Sequence, residues 1–283
     1  GGYTSSLGKI GYGYDDGACT CYYTDNADVG FDPGYTSQMR LSYGSGPFSM
    51  AVAIEDSGLN NGFGQDNYNY NYKNLGAAGR VMYSGDAFSG EIAGLYRSTN
   101  DDSYPNDSNI DGLWQVGAGL SFNMGDIASL SLAAAMGEGP YTTVNDSGDI
   151  TNSLPIYNQW WGVSGLASAN LSDTVHAEVA AGYKHREGDK NSIDGQLDSA
   201  LPAAYDPTVT WDYQGFDYDT YAFLGGLYYT PVDQLTIGVE GEWYQQNWDF
   251  ARSTKTIPGV DVKDKLSYDR ENWTVDLVSV WRF

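Results

Sequence analysis

The sequence has little of what most catalytic and metal sites require. It contains two histidines, His176 and His185, and two cysteines, Cys19 and Cys21, with one residue between them. Such a cysteine pair makes neither a disulfide framework nor a zinc site, and the sequence offers no evident serine or aspartate partner for either histidine. We therefore expect no enzyme activity, no metal site and no cofactor. Whether the two cysteines form a small strained ring or stay reduced is left open by the sequence.

Basic residues and long apolar runs are also scarce. The chain has 14 Lys and Arg against 37 Asp and Glu, which gives a formal net charge of −23. This charge would repel a nucleic-acid backbone, so nucleic acid is not an expected partner. The apolar runs, such as residues 132–136, fall far short of the roughly 18 residues that a transmembrane helix needs.

What the sequence does have is strict alternation of apolar with small or polar residues over long stretches. From Trp114 to Phe122 the even positions are apolar, and from Leu235 to Trp243 the odd positions are apolar or small. These stretches run to roughly nine to thirteen residues, whereas strands of soluble sheets average about five or six. Their length is typical of strands that cross a membrane at a tilt.

The connections between these stretches alternate between two kinds. Counted from residue 36, the pattern predicts eleven strands, at 36–44, 47–55, 74–84, 86–97, 112–124, 127–137, 159–170, 173–186, 217–230, 233–247 and 267–283. Short turns fall at 44–47, 84–86, 124–126, 171–173 and 230–233, and long polar segments at 56–73, 98–111, 138–157, 187–216 and 248–266. Bacterial outer-membrane barrels show this arrangement, with the short turns in the periplasm. We predict an all-β, transmembrane, antiparallel up-and-down β-barrel in one domain over 1–283, with a periplasmic C-terminus.

Aromatic residues on the apolar faces recur at one interval. Four strands each carry a pair of aromatics eight residues apart: Phe88 and Tyr96, Trp114 and Phe122, Tyr221 and Tyr229, and Trp273 and Trp281. Eight residues of tilted strand span roughly 20 Å, close to the height of the apolar band of such barrels. We predict that these eight side chains form the two aromatic girdles of a membrane-facing surface.

The closing stretch and five internal stretches carry a family resemblance. Residues 272–283 alternate up to Phe283, which resembles the C-terminal signal for insertion of outer-membrane barrels. Residues 7–14 (LGKIGYGY), 37–43, 46–55, 119–128 and 161–167 resemble the alphaproteobacterial general porins. That resemblance implies sixteen strands, a homotrimer and a constriction loop inside the barrel.

Eleven strands do not make sixteen, so two interpretations stay open. In the favoured one, about five N-terminal strands are missing from this chain and residues 1–35 are the constriction loop. In the other, Leu7 to Tyr14 supplies a first strand and the barrel is complete with twelve, the even number that a single-chain bacterial barrel requires.

The predicted site is the charged lining of a pore. Strand parity places Arg40, Arg80, Arg97 and Lys184, with Arg186 and Arg282, on the polar face, because a cation facing lipid would cost about 2–4 kcal/mol. Glu55, Glu91 and Glu178 are the candidate acidic partners of these cations. The resemblance implies that this basic wall faces an acidic constriction loop, which here would carry Asp15, Asp16, Asp25, Asp28 and Asp32.

These features predict an outer-membrane porin of a Gram-negative bacterium, with modest cation preference. It would let small hydrophilic solutes and ions diffuse passively, embedded in the lipid bilayer and lipopolysaccharide. The alternative is a structural or receptor barrel that binds partners through its long loops.

Overall fold

The computed structural model describes residues 2–13, 31, 33, 35–56, 75–98, 112–141, 156–189, 211–257 and 260–282. They form one antiparallel sheet of twelve strands, in which each strand pairs with its neighbours in the chain. The strands are β1 Gly2–Ser5, β2 Tyr35–Ser45, β3 Phe48–Asp56, β4 Leu75–Ser84, β5 Phe88–Ser98, β6 Gly112–Asn123, β7 Ala128–Tyr141, β8 Ile156–Ser172, β9 Val175–Asp189, β10 Trp211–Val232, β11 Leu235–Ile257 and β12 Val260–Trp281. Nowhere in these ranges is there a helix long and apolar enough to cross a membrane.

The predicted all-β, up-and-down architecture is confirmed, and β2 to β12 lie where the eleven strands were expected. The first strand differs from both interpretations of the opening residues. It spans Gly2–Ser5 and pairs with β2, from Gly2 opposite Gln38 to Ser5 opposite Tyr35. It therefore ends before Leu7, where the twelve-strand interpretation would begin it, and residues 2–5 are strand and not loop.

The last three strands are much longer than the alternation indicates. β10, β11 and β12 contain 22, 23 and 22 residues. The expectation of a loop over 248–266 is wrong, because β11 continues to Ile257 and β12 begins at Val260, with these two residues opposite each other. The reason lies in the sequence: the apolar residues change from odd positions in 235–243 and 273–281 to even positions such as Trp248, Val262 and Leu266, and polar residues interrupt them. One continuous alternation therefore does not reveal this part of the hairpin, although its backbone still pairs.

Short turns join the strands at one end of the sheet, which we call the turn end. They connect β2 to β3, β4 to β5, β6 to β7, β8 to β9 and β10 to β11. Gly46 and Gly125 have φ angles of 56° and 62°, in the left-handed region that glycine adopts without a steric penalty. The opposite end, the loop end, is joined by 57–74, 99–111, 142–155 and 190–210, which lie outside the described residues.

Burial divides the sheet into two faces. Side chains such as Glu240 and Thr220, both 0% exposed, mark the inner face. The outer face carries large exposed hydrophobic side chains such as Leu41, Val52 and Leu277, the last of which is 87% exposed. Water-soluble proteins bury such side chains, whereas a membrane barrel turns them toward lipid.

Residues 6–13, which follow β1, lie against the inner face; we call them the inner segment. Ser6 contacts Glu55 of β3, and Gly13 lies against Ala133 of β7 and Ser164 of β8. Ile10, near the middle of the segment, is 0% exposed. One short segment thus meets strands β3 to β8 and is enclosed by them, which indicates that the sheet curves around it, as in a barrel.

Candidate functional site on the inner face

Two buried carboxylates hold the main chain of the inner segment. Ser6 Oγ donates to both oxygens of Glu55, at 3.0 and 2.8 Å, and the Leu7 N–H donates to Glu55 Oε1 at 2.9 Å. The Gly11 N–H donates to Glu91 Oε1 at 2.6 Å. Hydrogen bonds from neutral donors to a carboxylate are short and strong, so these two residues fix the segment at both ends.

Two donors of the wall satisfy carbonyl groups of the same segment. Gln115 Nε2 donates to the carbonyl oxygen of Gly8 at 3.0 Å, and also to that of Phe31, outside the segment, at 2.8 Å. Arg80 Nη2 donates to the carbonyl oxygen of Lys9. Together with the glutamates, the wall therefore complements both kinds of main-chain polar group.

Arg80 also forms an ion pair on the wall itself. Its Nε lies 3.4 Å from Glu91 Oε2, and the side chains are 20% and 1% exposed. Because the two residues lie on adjacent strands of the inner face, they place opposite charges side by side next to the segment. Of the candidate acidic partners for the basic wall, Glu91 is the one that pairs with Arg80.

Apolar side chains of the segment fill sockets that are lined mainly by alanine. Leu7 packs with Ala53, Ala78 and Leu95. Ile10 shares a cluster with Ala93, Ala133, Ala135, Phe31 and Trp160. Two glycines of β6 keep this space open, because a Cβ at Gly117 would lie 2.9 Å from Ile10 Cγ1 and one at Gly119 would lie 2.4 Å from the Tyr12 ring.

The remaining predicted basic residues lie in different surroundings. Arg40 is on the inner face, opposite Ala53, and its side chain is exposed. Lys184 is 2% exposed, with its Nζ 4.7 Å from the ring centre of Trp160 and 5.9 Å from that of Phe31. Arg186 is likewise buried, over the Tyr218 ring at 5.2 Å, whereas Arg282 is exposed at the turn end. Lys184 and Arg186 thus contact aromatic rings and are not open to water.

Several predicted residues cannot be placed. The side chain of Arg97 and the whole of Asp15, Asp16, Asp25, Asp28, Asp32, Cys19, Cys21 and Phe283 lie outside the described residues. Their roles as pore lining, constriction loop, disulfide and insertion signal stay predictions.

The register reveals an acidic row that alternation alone does not show. Glu178 of β9 lies opposite Gly226 of β10, which lies opposite Glu240 of β11, which lies opposite Asp276 of β12. Tyr228 fills the space over Gly226 and donates its hydroxyl to Glu240 Oε1 at 3.0 Å. Three carboxylates therefore lie at one height on this wall. Strand parity predicts that each carboxylate faces inward, but only the pairing register shows that the three lie at the same height.

Aromatic side chains form two bands on the outer face. At the turn end, the rings of Phe48, Tyr83, Phe88 and Phe122 follow one another with centroids 5.1 to 5.8 Å apart. At the loop end, Tyr183 lies 5.2 Å from Trp161 and 5.0 Å from Tyr221, and Trp243 lies 6.1 Å from Trp273. Of the predicted girdle residues, Phe88, Phe122, Tyr229 and Trp281 lie toward the turn end, and Tyr96, Trp114, Tyr221 and Trp273 toward the loop end.

Each histidine has a carboxylate neighbour, which for His176 lies two residues along the same strand and for His185 lies on the adjacent strand. His176 Nε2 lies 2.8 Å from Glu178 Oε1, and His185 Nδ1 lies 2.9 Å from Asp219 Oδ1. His185 also has ligand-type atoms of Glu187 and Asp217 within 4.8 Å. This second group shares the outer face with Tyr183 and Tyr221, so it is not part of the inner wall.

Comparisons with known proteins agree with this architecture. No protein-family model matches the sequence, and no curated protein matches it. Among solved structures, the outer-membrane channel DcaP of Acinetobacter baumannii matches with a TM-score of 0.60 and 15% identity, over 100% of this chain and 70% of that one. OmpT, an outer membrane protein of Vibrio cholerae, matches with a TM-score of 0.50 and 11% identity, over 99% and 75%.

Identities this low show the fold alone. The chain has the fold of a bacterial outer-membrane β-barrel protein. Its resemblance to the alphaproteobacterial general porins stays a prediction.

Proposed function

We propose that the chain is an outer-membrane porin, which forms a water-filled channel for passive diffusion of small hydrophilic solutes and ions. One observation supports this above all: the two faces separate charge from apolar surface. Between the two aromatic bands, the described outer face carries no Asp, Glu, Lys, Arg or His side chain, whereas the inner face carries Glu91, Glu178, Glu240 and Asp276, among others. A channel uses charged side chains on its inner face to select among solutes.

The narrowest part of the proposed channel lies where the inner segment meets Arg80 and Glu91. The segment occupies space on the inner face there, and the two side chains place opposite charges beside it. Adjacent opposite charges orient the dipole of a passing solute and disfavour apolar molecules. Asp276, the partly exposed member of the acidic row, supports the expected cation preference.

Stepwise conductance in planar bilayers tests the proposal, and Arg80→Glu tests the constriction. We expect the variant to shift the reversal potential in a salt gradient toward cations, because it replaces a positive charge by a negative one at the narrowest point. Lys265→Glu is the matched control, since it makes the same charge change at an exposed position on β12. An equal shift in both variants, or none in Arg80→Glu, would remove Arg80 from the constriction; a chain that never conducts would overturn the porin.

The setting of the channel is part of the same proposal. We place the chain in the outer membrane with the turn end and the C-terminus in the periplasm, in contact with lipopolysaccharide at the loop end, and as a homotrimer. Small outer-face residues such as Ala77, Gly79, Ala118 and Ala134 would allow close approach of a neighbouring barrel. Cross-linking in intact outer membranes tests the trimer.

One observation favours a receptor as the second candidate. Beyond Trp243 and Trp273 of the loop-end band, β11 and β12 continue as a paired ribbon to Ile257 and Val260. About 14 residues of strand at ~3.3 Å each would project far above the membrane, as a binding surface for a partner would. A barrel that is silent in bilayers but captures a partner through this ribbon would favour the receptor.

A further inference from the structure

We propose that the inner wall of β3–β7 is a binding site for short peptides, and that the inner segment occupies it as an internal ligand. This inference rests on the proposed channel, because it names a class of solute that the channel would take. It concerns four wall residues, Glu55, Arg80, Glu91 and Gln115, and two apolar sockets.

The first step is the chemistry of the four contacts. Glu55 accepts the N–H of Leu7 and Glu91 accepts the N–H of Gly11, while Gln115 and Arg80 donate to the carbonyl groups of Gly8 and Lys9. All four contacts reach main-chain groups, which every peptide possesses. An inorganic ion has no such alternation of donors and acceptors, and the spacing of the four groups follows successive residues of one chain, so the wall matches a peptide backbone.

The second step is the shape of the sockets. One socket, formed by Ala53, Ala78 and Leu95, holds Leu7, which is 4% exposed. The other, formed largely by Ala93, Ala133 and Ala135, holds Ile10. Aliphatic side chains three residues apart are therefore the feature that the site would select, in addition to the backbone.

The third step is the close fit between the wall and the segment, which leaves no room for a side chain at two glycines. A Cβ at Gly8 would lie 2.3 Å from Leu95 Cδ2, and one at Gly119 would lie 2.4 Å from the ring of Tyr12. Tyr12 also donates its hydroxyl to Ser89 Oγ at 3.1 Å. The preferred ligand accordingly has a small residue between its two aliphatic ones and an aromatic residue after them.

The test uses the full chain in planar bilayers and a synthetic peptide with the sequence of residues 6–12, acetyl-Ser-Leu-Gly-Lys-Ile-Gly-Tyr-amide. The variant Leu7→Ala/Ile10→Ala, called the loosened variant below, weakens the packing of the inner segment against the wall and leaves the wall residues unchanged. We expect this variant to conduct more than the wild type. We also expect the peptide to block the variant at a concentration at least tenfold lower than the one that blocks the wild type. A control peptide with serine in place of leucine and isoleucine should block neither.

A wall variant separates the site from general pore blocking. Adding Gln115→Leu to the loosened variant removes the donor to the Gly8 carbonyl, and we expect the blocking concentration to rise at least tenfold. Heat-modifiable migration of each variant on gels checks that the barrel has formed. Equal block by both peptides, or block that Gln115→Leu leaves unchanged, would overturn the peptide site while the channel itself stands.

If the loosened variant does not conduct, the proposed channel fails and the peptide site is still decided by binding. A fluorescein-labelled form of the same peptide is then titrated with detergent-solubilised loosened variant and followed by anisotropy. Saturable binding that Gln115→Leu weakens supports the site, and equal binding of the serine peptide, or none of either, overturns it.

Discussion

The inner walls of β3–β6 and β9–β12 satisfy their polar side chains in different ways. On β3–β6, Glu55, Glu91 and Gln115 bond to the main chain of the inner segment, which is distant in sequence. On β9–β12, the contacts join neighbouring strands of the sheet: Tyr228 of β10 donates to Glu240 of β11, and its ring stacks on His176 of β9 at 6.1 Å. The first wall therefore depends on another part of the chain, and the second depends on its own register.

This difference teaches which wall can change without unfolding the sheet. If the inner segment left, Glu55 and Glu91 would lose three main-chain and hydroxyl donors, and water in the lumen would replace them at modest net cost. The contacts of Tyr228 with Glu240 and with His176 would break only if β9 to β11 separated. We therefore expect perturbations of the segment to act locally and perturbations of the second wall to act on the stability of the whole barrel.

The largest expected effect comes from Ile10→Asp. It places a carboxylate in the fully buried socket beside Glu91, which would cost more than about 3 kcal/mol and shift the docking equilibrium of the segment by more than about 100-fold. Hydrogen exchange measures this directly: the amides of Leu7 and Gly11 should lose protection, while those of Leu224 and Glu240 should keep it.

Ile10→Val is the control, because it keeps an aliphatic side chain and should leave the protection of both amides nearly unchanged. Loss of amide protection on β10 and β11 in Ile10→Asp would contradict the expectation that the two walls respond independently. It would mean that the two walls form one cooperative unit.

An intermediate effect is expected from Tyr228→Phe on the second wall. The change removes the hydroxyl that donates to Glu240 at 3.0 Å and leaves the ring over Gly226 in place. A hydrogen bond to a charged group contributes about 1.5–3 kcal/mol, so the free energy of unfolding in urea should fall by about 2 kcal/mol. Protection of the Gly11 amide should stay as in the wild type.

Tyr229→Phe is the matched control for this change, since Tyr229 is the next residue and lies on the outer face, 49% exposed. Its free energy of unfolding should change little. If both variants lose the same stability, the bond to Glu240 is not what stabilises the second wall.

The sequence predicts the faces of the sheet well, because side chains alternate with a period of two and the burial of one face follows directly. Parity alone places Arg80 and Lys184 inward and Leu277 outward, as the structure has them. It fails in the ribbon that ends at Ile257 and Val260, where the apolar residues change from odd to even positions and polar residues interrupt them. There the hydrogen-bonded register continues without one unbroken alternation.

The contacts of the inner segment could not be predicted, because they join residues about 50 to 110 positions apart. Glu55 and Glu91 stand out in the sequence only as partners for an arginine. The structure shows that Glu91 serves both Arg80 and the Gly11 N–H, whereas Glu55 holds Ser6 and Leu7. No periodicity encodes which distant main-chain group a buried carboxylate will meet.

The smallest expected effect lies on the ribbon above the second wall. Asp249 Oδ2 lies 2.8 Å from Lys265 Nζ, and Asp249 also accepts from Ser267 Oγ at 2.6 Å. The hydrogen bonds from Lys265 and then Ser267 lower the pKa of Asp249 below its ordinary value. A carboxylate whose pKa is lowered in the folded state stabilises that state above its unfolded pKa of about 3.9, and this contribution is lost as the pH falls through the folded pKa.

Because both side chains are exposed, the pair should contribute far less than the bond to Glu240. Lys265→Met should lower stability slightly at pH 7, and the gap to the wild type should narrow as the pH falls through the lowered pKa of Asp249, because the aspartate then becomes protonated in the wild type too. Urea unfolding at pH 7 and at a series of lower pH values measures it, with added salt shrinking the gap at pH 7. A gap as large as that of Tyr228→Phe would show that the ribbon, and not the lumen-facing register, secures the second wall.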